Sequence, residues 1–228
     1  ESDAVMYTGA GPEIAVATTK GYASQVTVLA MLAVKLGYLR GRIGAERASE
    51  LCHSLADVLP ANIAEIISRR PEIAELAKKI YSHDDLFYIG RGPDCAAAPE
   101  CSLKLKEISY IKSEAYAAGE LKHGTISLIE PGTLVVALGT YEPLFDKAMS
   151  NVVEVKARGA EVLAVTTETF REKMEKTADS TIVIPDTHVI LQPSLGVVPL
   201  QLFAYYVALQ RGCDIDKPRN LAKSVTVE

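Results

Sequence analysis

The chain has 228 residues, of which 48% are hydrophobic and 23% are charged, and its formal net charge is −5. This much apolar material is enough for one or two domains with a sizeable core. The weakly acidic charge argues against a nucleic-acid-binding protein, which usually presents a basic patch. The longest apolar run, near "VTVLAMLAVKLGYL", is interrupted by Lys35 and has helical spacing, so we expect no membrane span.

The four cysteines are scattered along the chain, and their spacing fits no zinc site. Reduced thiols in the core or on the surface of a cytosolic protein are the simplest interpretation. No secretory signal opens the sequence, which starts with "ESD". We therefore expect a cytoplasmic protein that holds no metal.

The first 82 residues predict one strand and several helices. Residues 3–8, "DAVMYT", are typical of a short buried strand, and a long helix follows within 16–41, with Thr18 or Thr19 as its cap. Residues 46–82 predict two further helices, broken at Pro60 and Pro71. One strand and one helix cannot form a domain, so we interpret residues 1–50 as the end of an earlier α/β unit and residues 51–82 as a helical connector.

A regular alternation of strands and helices begins at residue 83. Strands are predicted at 85–92, 133–139, 161–167 and 180–185, and helices at about 98–112, 144–158 and 196–211, with a short charged helix after 167. Residues 114–132 are predicted to be irregular. Short apolar strands alternating with helices indicate parallel pairing through crossovers. We predict an open, doubly wound, mainly parallel α/β domain over 83–212, followed by a tail, 213–228.

The first strand of this domain ends in the glycine turn "YIGRGPD". Ligands bind beyond the carboxyl ends of the strands in open α/β sheets, and exposed amides there favour anions. The turn lacks the full G-x-G-x-x-G pattern, so a dinucleotide site is only weakly indicated. A plain tight turn is the alternative.

The next helix, "PECSLKLKEISY", carries a line of charge. Glu100, Lys104, Glu107 and Ile111 fall on one face, with Pro99 in the predicted first turn. The line is either a solvated salt-bridge ladder or a functional group in which a carboxylate acts as general base beside Lys104. Apolar residues on the other faces indicate a largely buried helix, where such charges are costly unless they are paired.

Two further residues are candidates for chemistry. His123 lies in the irregular stretch and is either an acid–base group or a surface histidine. Lys223 lies in the tail "DKPRNLAKSVTVE", where a lysine is solvated by default. If Leu221 and Val225 anchor the tail, Lys223 becomes partly desolvated, which lowers the pKa of its amine and makes it a nucleophile toward carbonyls.

Taken together, "KLKEISY", "EAYAAGE", "ELKHG" and "KPRNLAKSVTVE" resemble the glucosamine-6-phosphate synthase family, whose members are glutamine:fructose-6-phosphate amidotransferases. The resemblance runs the length of the chain. It implies an SIS-type, flavodoxin-like fold comprising the end of a first sugar-isomerase (SIS) subdomain and all of a second.

The resemblance also assigns catalytic roles. Lys223 matches the lysine that forms an imine with the open-chain sugar, and Glu107 matches the carboxylate that moves a proton between C1 and C2. His123 matches a histidine linked to ring opening that reaches the neighbouring subunit, which implies a homodimer. Lys104 matches a lysine beside the same sugar.

Three more positions are implied to line the sugar. Val16 and Ala222 match residues that contact it through their backbone, and Thr18 lies where the family can carry a serine. The implied ligands are fructose 6-phosphate and glucosamine 6-phosphate, and no cofactor is implied.

The sequence departs from the family in two respects. It contains nothing that resembles the glutaminase domain or the Ser/Thr-rich phosphate loop of the first SIS subdomain, so we expect this piece alone to be inactive. Thr125 follows "KHG" where the family commonly has proline, which alters the rigidity of the loop. The alternative function is a non-catalytic, sugar-phosphate-binding SIS regulator, which has no need of Glu107 or Lys223.

Overall fold

A five-stranded parallel sheet forms the centre of the chain in the computed structural model, which describes residues 2–219 and 221–222. Its spatial order is β2-β1-β3-β4-β5. The strands are β1 (Asp85–Gly90), β2 (Lys112–Ala117), β3 (Leu134–Gly139), β4 (Glu161–Thr167) and β5 (Ser180–Ile184). Since the strand order reverses between β1 and β3, the sheet is doubly wound, and this prediction is confirmed.

The strands are apolar on both faces because helices cover both faces. In β1, Leu86 and Tyr88 pack into one hydrophobic cluster, whereas Phe87 and Ile89 pack into another. This alternation follows from the period of two residues along a strand. A strand buried on both sides shows a continuous apolar run, and for that reason four of the five strands were predictable.

The helices of the domain form two layers. On one face lie α4 (Arg70–Ile80), α5 (Pro93–Ser109), α8 (Gln192–Leu195) and α9 (Val198–Gln210), whose buried residues share one core with the sheet. On the other face lie α6 (Phe145–Lys156) and α7 (Arg171–Glu175). Helix α9 packs against both α4 and α5, so the final helix fixes the position of the charged helix α5.

Three helices precede α4. They are α1 (Lys20–Leu39), α2 (Ala45–His53) and α3 (Leu59–Ser68). The predicted break at Pro71 is confirmed, because α4 starts at Arg70. The predicted break at Pro60 is wrong: a π-helical turn, Ser54–Val58, joins α2 to α3, and Pro60 lies in the first turn of α3. A first-turn position needs no amide hydrogen for an α-helical bond, so the proline is tolerated there and does not end the helical structure.

Three other predictions are corrected. Residues 3–8 form no strand and are exposed, since no strand of the described sheet pairs with them. Pro99 lies inside α5, which begins at Pro93. Residues 112–117, of which 114–117 were predicted to be irregular, form the edge strand β2, followed by two 3-10 helices, Ala118–His123 and Thr125–Leu128.

Candidate active site

The charged line predicted on α5 is a buried cluster. The Nζ atom of Lys104 lies 2.5 Å from Oε2 of Glu107 and 3.7 Å from Oε1 of Glu100. The side chain of Lys104 is only 5% exposed, and those of Glu107 and Glu100 are 22% and 15% exposed. A solvated ladder does not have this burial, so the structure contradicts that interpretation.

The electrostatics of the cluster are unbalanced, with two carboxylates sharing one ammonium group. Burial raises the pKa of Glu100; Lys104 acts to lower it, and the charge of Glu107 raises it further. The ammonium group of Lys104 lies closer to Glu107 than to Glu100. Glu107 is therefore held in place by a charge-assisted hydrogen bond and still keeps part of its surface open.

The loop before α1 approaches this region. Tyr22, in the first turn of α1, packs against the main core, and burial together with the nearby Cys101 and Glu100 raises its pKa. Val16 and Thr18 are half-buried in the loop. The predicted cap position is confirmed at Thr19, the N-cap residue of α1, although its side chain makes no cap bond; its amide donates to Oε1 of Glu13 at 2.6 Å.

The described part of the tail joins the loop to the end of α5. The carbonyl of Asp216 accepts a hydrogen bond of 3.0 Å from the Val16 amide. Further along, the Arg219 amide donates to the hydroxyl of Tyr110 at 2.8 Å, and the Arg219 guanidinium lies 4.1 Å from the centre of that ring. Tyr110 is the C-cap of α5 and has a left-handed backbone with φ of 62°.

Leu221 does not anchor the tail, because it is 44% exposed. Pro218 is buried instead, and Ile215 packs against the core. Ala222 is exposed, and Lys223 lies outside the described residues, as does Val225. The described tail therefore leads toward the end of α5 that carries Glu107.

His123 lies at the end of the 3-10 helix Ala118–His123 and is exposed. This helix packs on β2, α6 and the following 3-10 helix. Among the contacts of the described residues, none joins His123 to Lys104 or Glu107. Thr125 begins the next 3-10 helix, just after Gly124, whose φ is 151°.

The aspartate at the end of the glycine turn, Asp94, binds the residues that follow β3. Asp94 accepts hydrogen bonds from the Thr140 amide at 2.8 Å, the Tyr141 amide at 3.1 Å and the Thr140 hydroxyl at 2.5 Å. A Cβ at Gly90 would lie 2.6 Å from the Asp94 carbonyl carbon, so glycine is required for this close packing. Asp94 therefore ties the turn to the residues that follow β3, a structural role that favours the plain-turn interpretation of "YIGRGPD".

Asp94 and Tyr110 were missed by sequence reasoning. Their partners, Thr140 and Arg219, lie 46 and 109 residues away along the chain. No local pattern encodes contacts at such distances. The only available signal was the aspartate directly after the glycine turn.

The family model described as SIS domain matches residues 79–211 of the chain. The match includes the whole sheet and α5, and so it includes Lys104 and Glu107. It leaves outside the helices α1 to α3, all but the last two residues of α4, and the tail.

Curated relatives align with the whole chain. It is 51% identical over 228 residues to a glutamine–fructose-6-phosphate aminotransferase (isomerizing) of Caldanaerobacter subterraneus. It is 52% identical over 228 residues to the protein of the same name from Symbiobacterium thermophilum. The chain spans 37% of the length of each of these relatives.

A solved structure of similar fold is titled the C-terminal domain of glucosamine-fructose-6-phosphate aminotransferase from Francisella tularensis. It superposes with a TM-score of 0.87 and 31% sequence identity. The superposition covers 92% of this chain and 59% of that one.

Proposed function

The chain belongs to the SIS domain family, and from this premise we propose that it is the carboxy-terminal part of the isomerase half of a glutamine–fructose-6-phosphate aminotransferase. The whole enzyme converts fructose 6-phosphate and glutamine-derived ammonia into glucosamine 6-phosphate. Sequence identity of about one half along the entire chain, to relatives of that name, supports the proposal.

The observation that carries the proposal is the Lys104–Glu107 pair on α5. Moving an amino group onto C2 of a ketose and leaving an aldehyde at C1 requires one proton to leave C1 and one to arrive at C2. A single carboxylate that returns the proton it takes is sufficient for both steps. Glu107 combines a fixed position, given by Lys104, with partial exposure toward a ligand, and so it suits this role.

An imine at C2 makes that proton transfer easier. It withdraws electrons from the adjacent C1–H bond, so the bond becomes more acidic. We assign the first imine to Lys223, whose amine condenses with the keto group and releases water. Since the product carries a free amine at C2, ammonia must then replace the lysine there. The bond between Arg219 and Tyr110, four residues before Lys223, supports this assignment by leading the tail to the end of α5.

The remaining assignments rest on the resemblance. His123 would assist ring opening in the active site of a neighbouring subunit of a homodimer, and its exposure on a short helix is compatible with that role. Val16 and Ala222 would contact the sugar through their backbone, with Thr18 nearby. We further propose that the protein is located in the cytoplasm.

Substitution of Glu107 tests the proton-transfer role. In the full-length enzyme, Glu107→Gln should reduce formation of glucosamine 6-phosphate by about 10²–10⁴-fold, the usual contribution of an acid–base group. Lys106→Gln, at the exposed neighbouring position, should leave turnover within a few-fold of the wild type. Full turnover of Glu107→Gln would refute the proposed role.

Borohydride trapping tests the imine separately. Reduction of the full-length enzyme in the presence of fructose 6-phosphate should leave a covalent adduct on Lys223, identified by peptide mass spectrometry. The adduct should persist in Glu107→Gln, because the imine forms before the proton moves. Absence of the adduct in wild-type enzyme would remove Lys223 from the mechanism.

The 228-residue chain by itself should be inactive, because it lacks any stretch resembling the phosphate-binding loop of the family. Turnover of the purified chain near that of the full-length enzyme would contradict this expectation. A non-catalytic regulator would bind sugar phosphate unchanged in the Glu107→Gln variant and would show no turnover to lose.

A further inference from the structure

A polar cavity lies at the carboxyl ends of β3, β4 and β5, away from the charged cluster of α5. Its volume is about 230 Å³. We call it the sheet-edge cavity. The residues that line it include Thr140, Glu142, Thr167, Asp186, Thr187 and Gln192. None of them belongs to the proposed active site.

Three buried polar atoms of this cavity have no hydrogen-bond partner among the described residues. They are the hydroxyls of Thr167 and Thr187 and the Oε1 atom of Gln192. Thr167 is only 3% exposed and Gln192 is 8% exposed. Burying a polar group without a partner costs free energy, and three such groups around one cavity indicate a site built to receive hydrogen bonds.

The surrounding structure fixes these groups in position. The amide nitrogen of Gln192 donates to the Thr140 carbonyl at 2.9 Å, and this bond orients the side chain that carries the free oxygen. Thr167 ends β4, and its neighbour Thr166 donates its hydroxyl to the Gly139 carbonyl at 2.8 Å. Thr166 is thus satisfied by the fold, whereas the Thr167 hydroxyl, enclosed beside the cavity, has no partner among the described residues.

The charges around the cavity exclude a phosphorylated ligand. Glu142 and Asp186 are carboxylates, and no lysine or arginine lines the cavity among the described residues. The Thr140 and Tyr141 amides, which could have bound an anion, already donate to Asp94. The free groups comprise one acceptor and two hydroxyls, which match the hydroxyl groups of a neutral ligand.

We propose that the sheet-edge cavity binds a small uncharged polyol, up to the size of a free hexose, at a site separate from that of the phosphorylated substrate. The cavity is smaller than the roughly 300–1,000 Å³ pockets that enclose drug-sized ligands, which limits the ligand to this size. Phe170 adds an apolar ring to the lining, against which the C–H face of a sugar can pack.

Titration of the full-length protein with free glucose and free fructose tests the proposal, with inorganic phosphate as the anionic probe. Ligand-observed NMR or calorimetry should detect saturable binding of at least one hexose, and phosphate should not compete with it. Thr167→Val removes one hydroxyl at nearly constant volume and should weaken binding at least tenfold, as should Thr187→Val. Thr181→Val, on β5 but outside the cavity lining, should leave the affinity unchanged.

Absence of saturable hexose binding by the wild-type protein overturns the proposal, whatever the variants do. Hexose binding that survives both Thr167→Val and Thr187→Val also overturns it, as does displacement of the hexose by phosphate. Circular dichroism of each variant establishes that it is folded. The Glu107→Gln variant should bind the hexose normally, so this test fails or succeeds independently of the proposed catalytic function.

Discussion

Lys104 is a cation almost fully removed from water, with two carboxylates as partners. A buried lysine without partners would be expected to lose its charge, since burial disfavours the charged form. Here two glutamates supply the compensating charge. Glu100 lies four residues before Lys104 on α5, and Glu107 lies three residues after it. The same spacing is what made the group visible in the sequence, whereas its burial arises from the tertiary packing around α5.

Replacing Lys104 with methionine should destabilise the chain by roughly 2–4 kcal/mol at neutral pH, because Glu100 and Glu107 are left without their shared cation. The loss should shrink as the pH falls, since protonation removes the repulsion between the two carboxylates, and burial already raises the pKa of Glu100. Urea denaturation across pH measures both effects. Lys106→Met, at an exposed position on the same helix, is the control, and equal destabilisation by the two changes would contradict the argument.

Tyr88 presents the opposite case, a polar group with nothing to compensate it. The residue is 0% exposed, its hydroxyl has no hydrogen-bond partner among the described residues, and burial raises its pKa well above the usual value. Tyr88→Phe should therefore be neutral or stabilising by up to about 1 kcal/mol. Thermal unfolding measures the change. Destabilisation by more than about 1 kcal/mol would show that the hydroxyl is satisfied after all.

These residues also show which features of the site could be predicted from local sequence and which could not. The line Glu100, Lys104, Glu107 depends only on helical periodicity, so it was correctly placed on one face. The burial of that face depends on tertiary packing, which local sequence does not encode, so a buried group and a solvated ladder remained alternatives. Asp94 and Tyr110 depend entirely on remote partners and were not predicted as part of any contact.

The same distinction applies to whole elements. Strands β1, β3, β4 and β5 were predictable because both faces are apolar. Among the described strands, β2 pairs with β1 alone, and its sequence "KSEAYA" carries polar residues along a half-buried edge, so it gave no apolar run. The predicted strand at 3–8 failed for the converse reason: its pattern is apolar, but a strand needs a neighbour to pair with.

Asp179 joins three elements at the other end of the sheet. It lies 2.7 Å from the Lys156 ammonium at the end of α6 and 2.7 Å from the Val162 amide at the start of β4. Its own amide donates to the Val162 carbonyl at 3.0 Å, just before β5. Partial burial acts to raise the pKa of Asp179, but these hydrogen bonds outweigh burial, and its pKa is lowered.

Asp179→Asn should therefore cost about 1 kcal/mol at neutral pH, a modest value because solvent screens this partly exposed pair. A carboxyl group with a lowered pKa stabilises the fold above its unfolded value of about 3.9. That stabilisation is lost as the pH falls through the folded pKa, so the difference between variant and wild type should vanish in acid. Urea denaturation at pH 7 and below pH 3 measures it, with Asp146→Asn, in a more exposed ion pair, as control. A difference that persists in acid would contradict the ionic explanation.

Helix α1 leaves several large apolar side chains exposed. Leu29, Leu36 and Leu39 are 64%, 54% and 64% exposed, and Met31 is 47% exposed. By length and composition, both α1 and the stretch Val189–Gln210 could cross a membrane, but the latter is 61% buried inside the structure whereas the α1 window is 11% buried. Contiguous apolar surface of this kind marks an interface. The chain spans 37% of its relatives, so residues that cover α1 can lie in the remainder.

The 228-residue chain should consequently self-associate beyond a dimer and bind a hydrophobic dye, whereas the full-length protein should do neither. Leu36→Glu combined with Leu29→Glu should suppress association of the short chain by placing charge on the apolar face. Lys147→Glu, at an exposed position of α6 on the other face of the sheet, makes the same total change in charge and should have a much smaller effect. Sedimentation velocity over a range of concentrations measures the result. The prediction is contradicted if the short chain remains monodisperse and binds no more dye than the full-length protein. The apolar face of α1 would then be stable in water, and no missing segment would be needed to cover it.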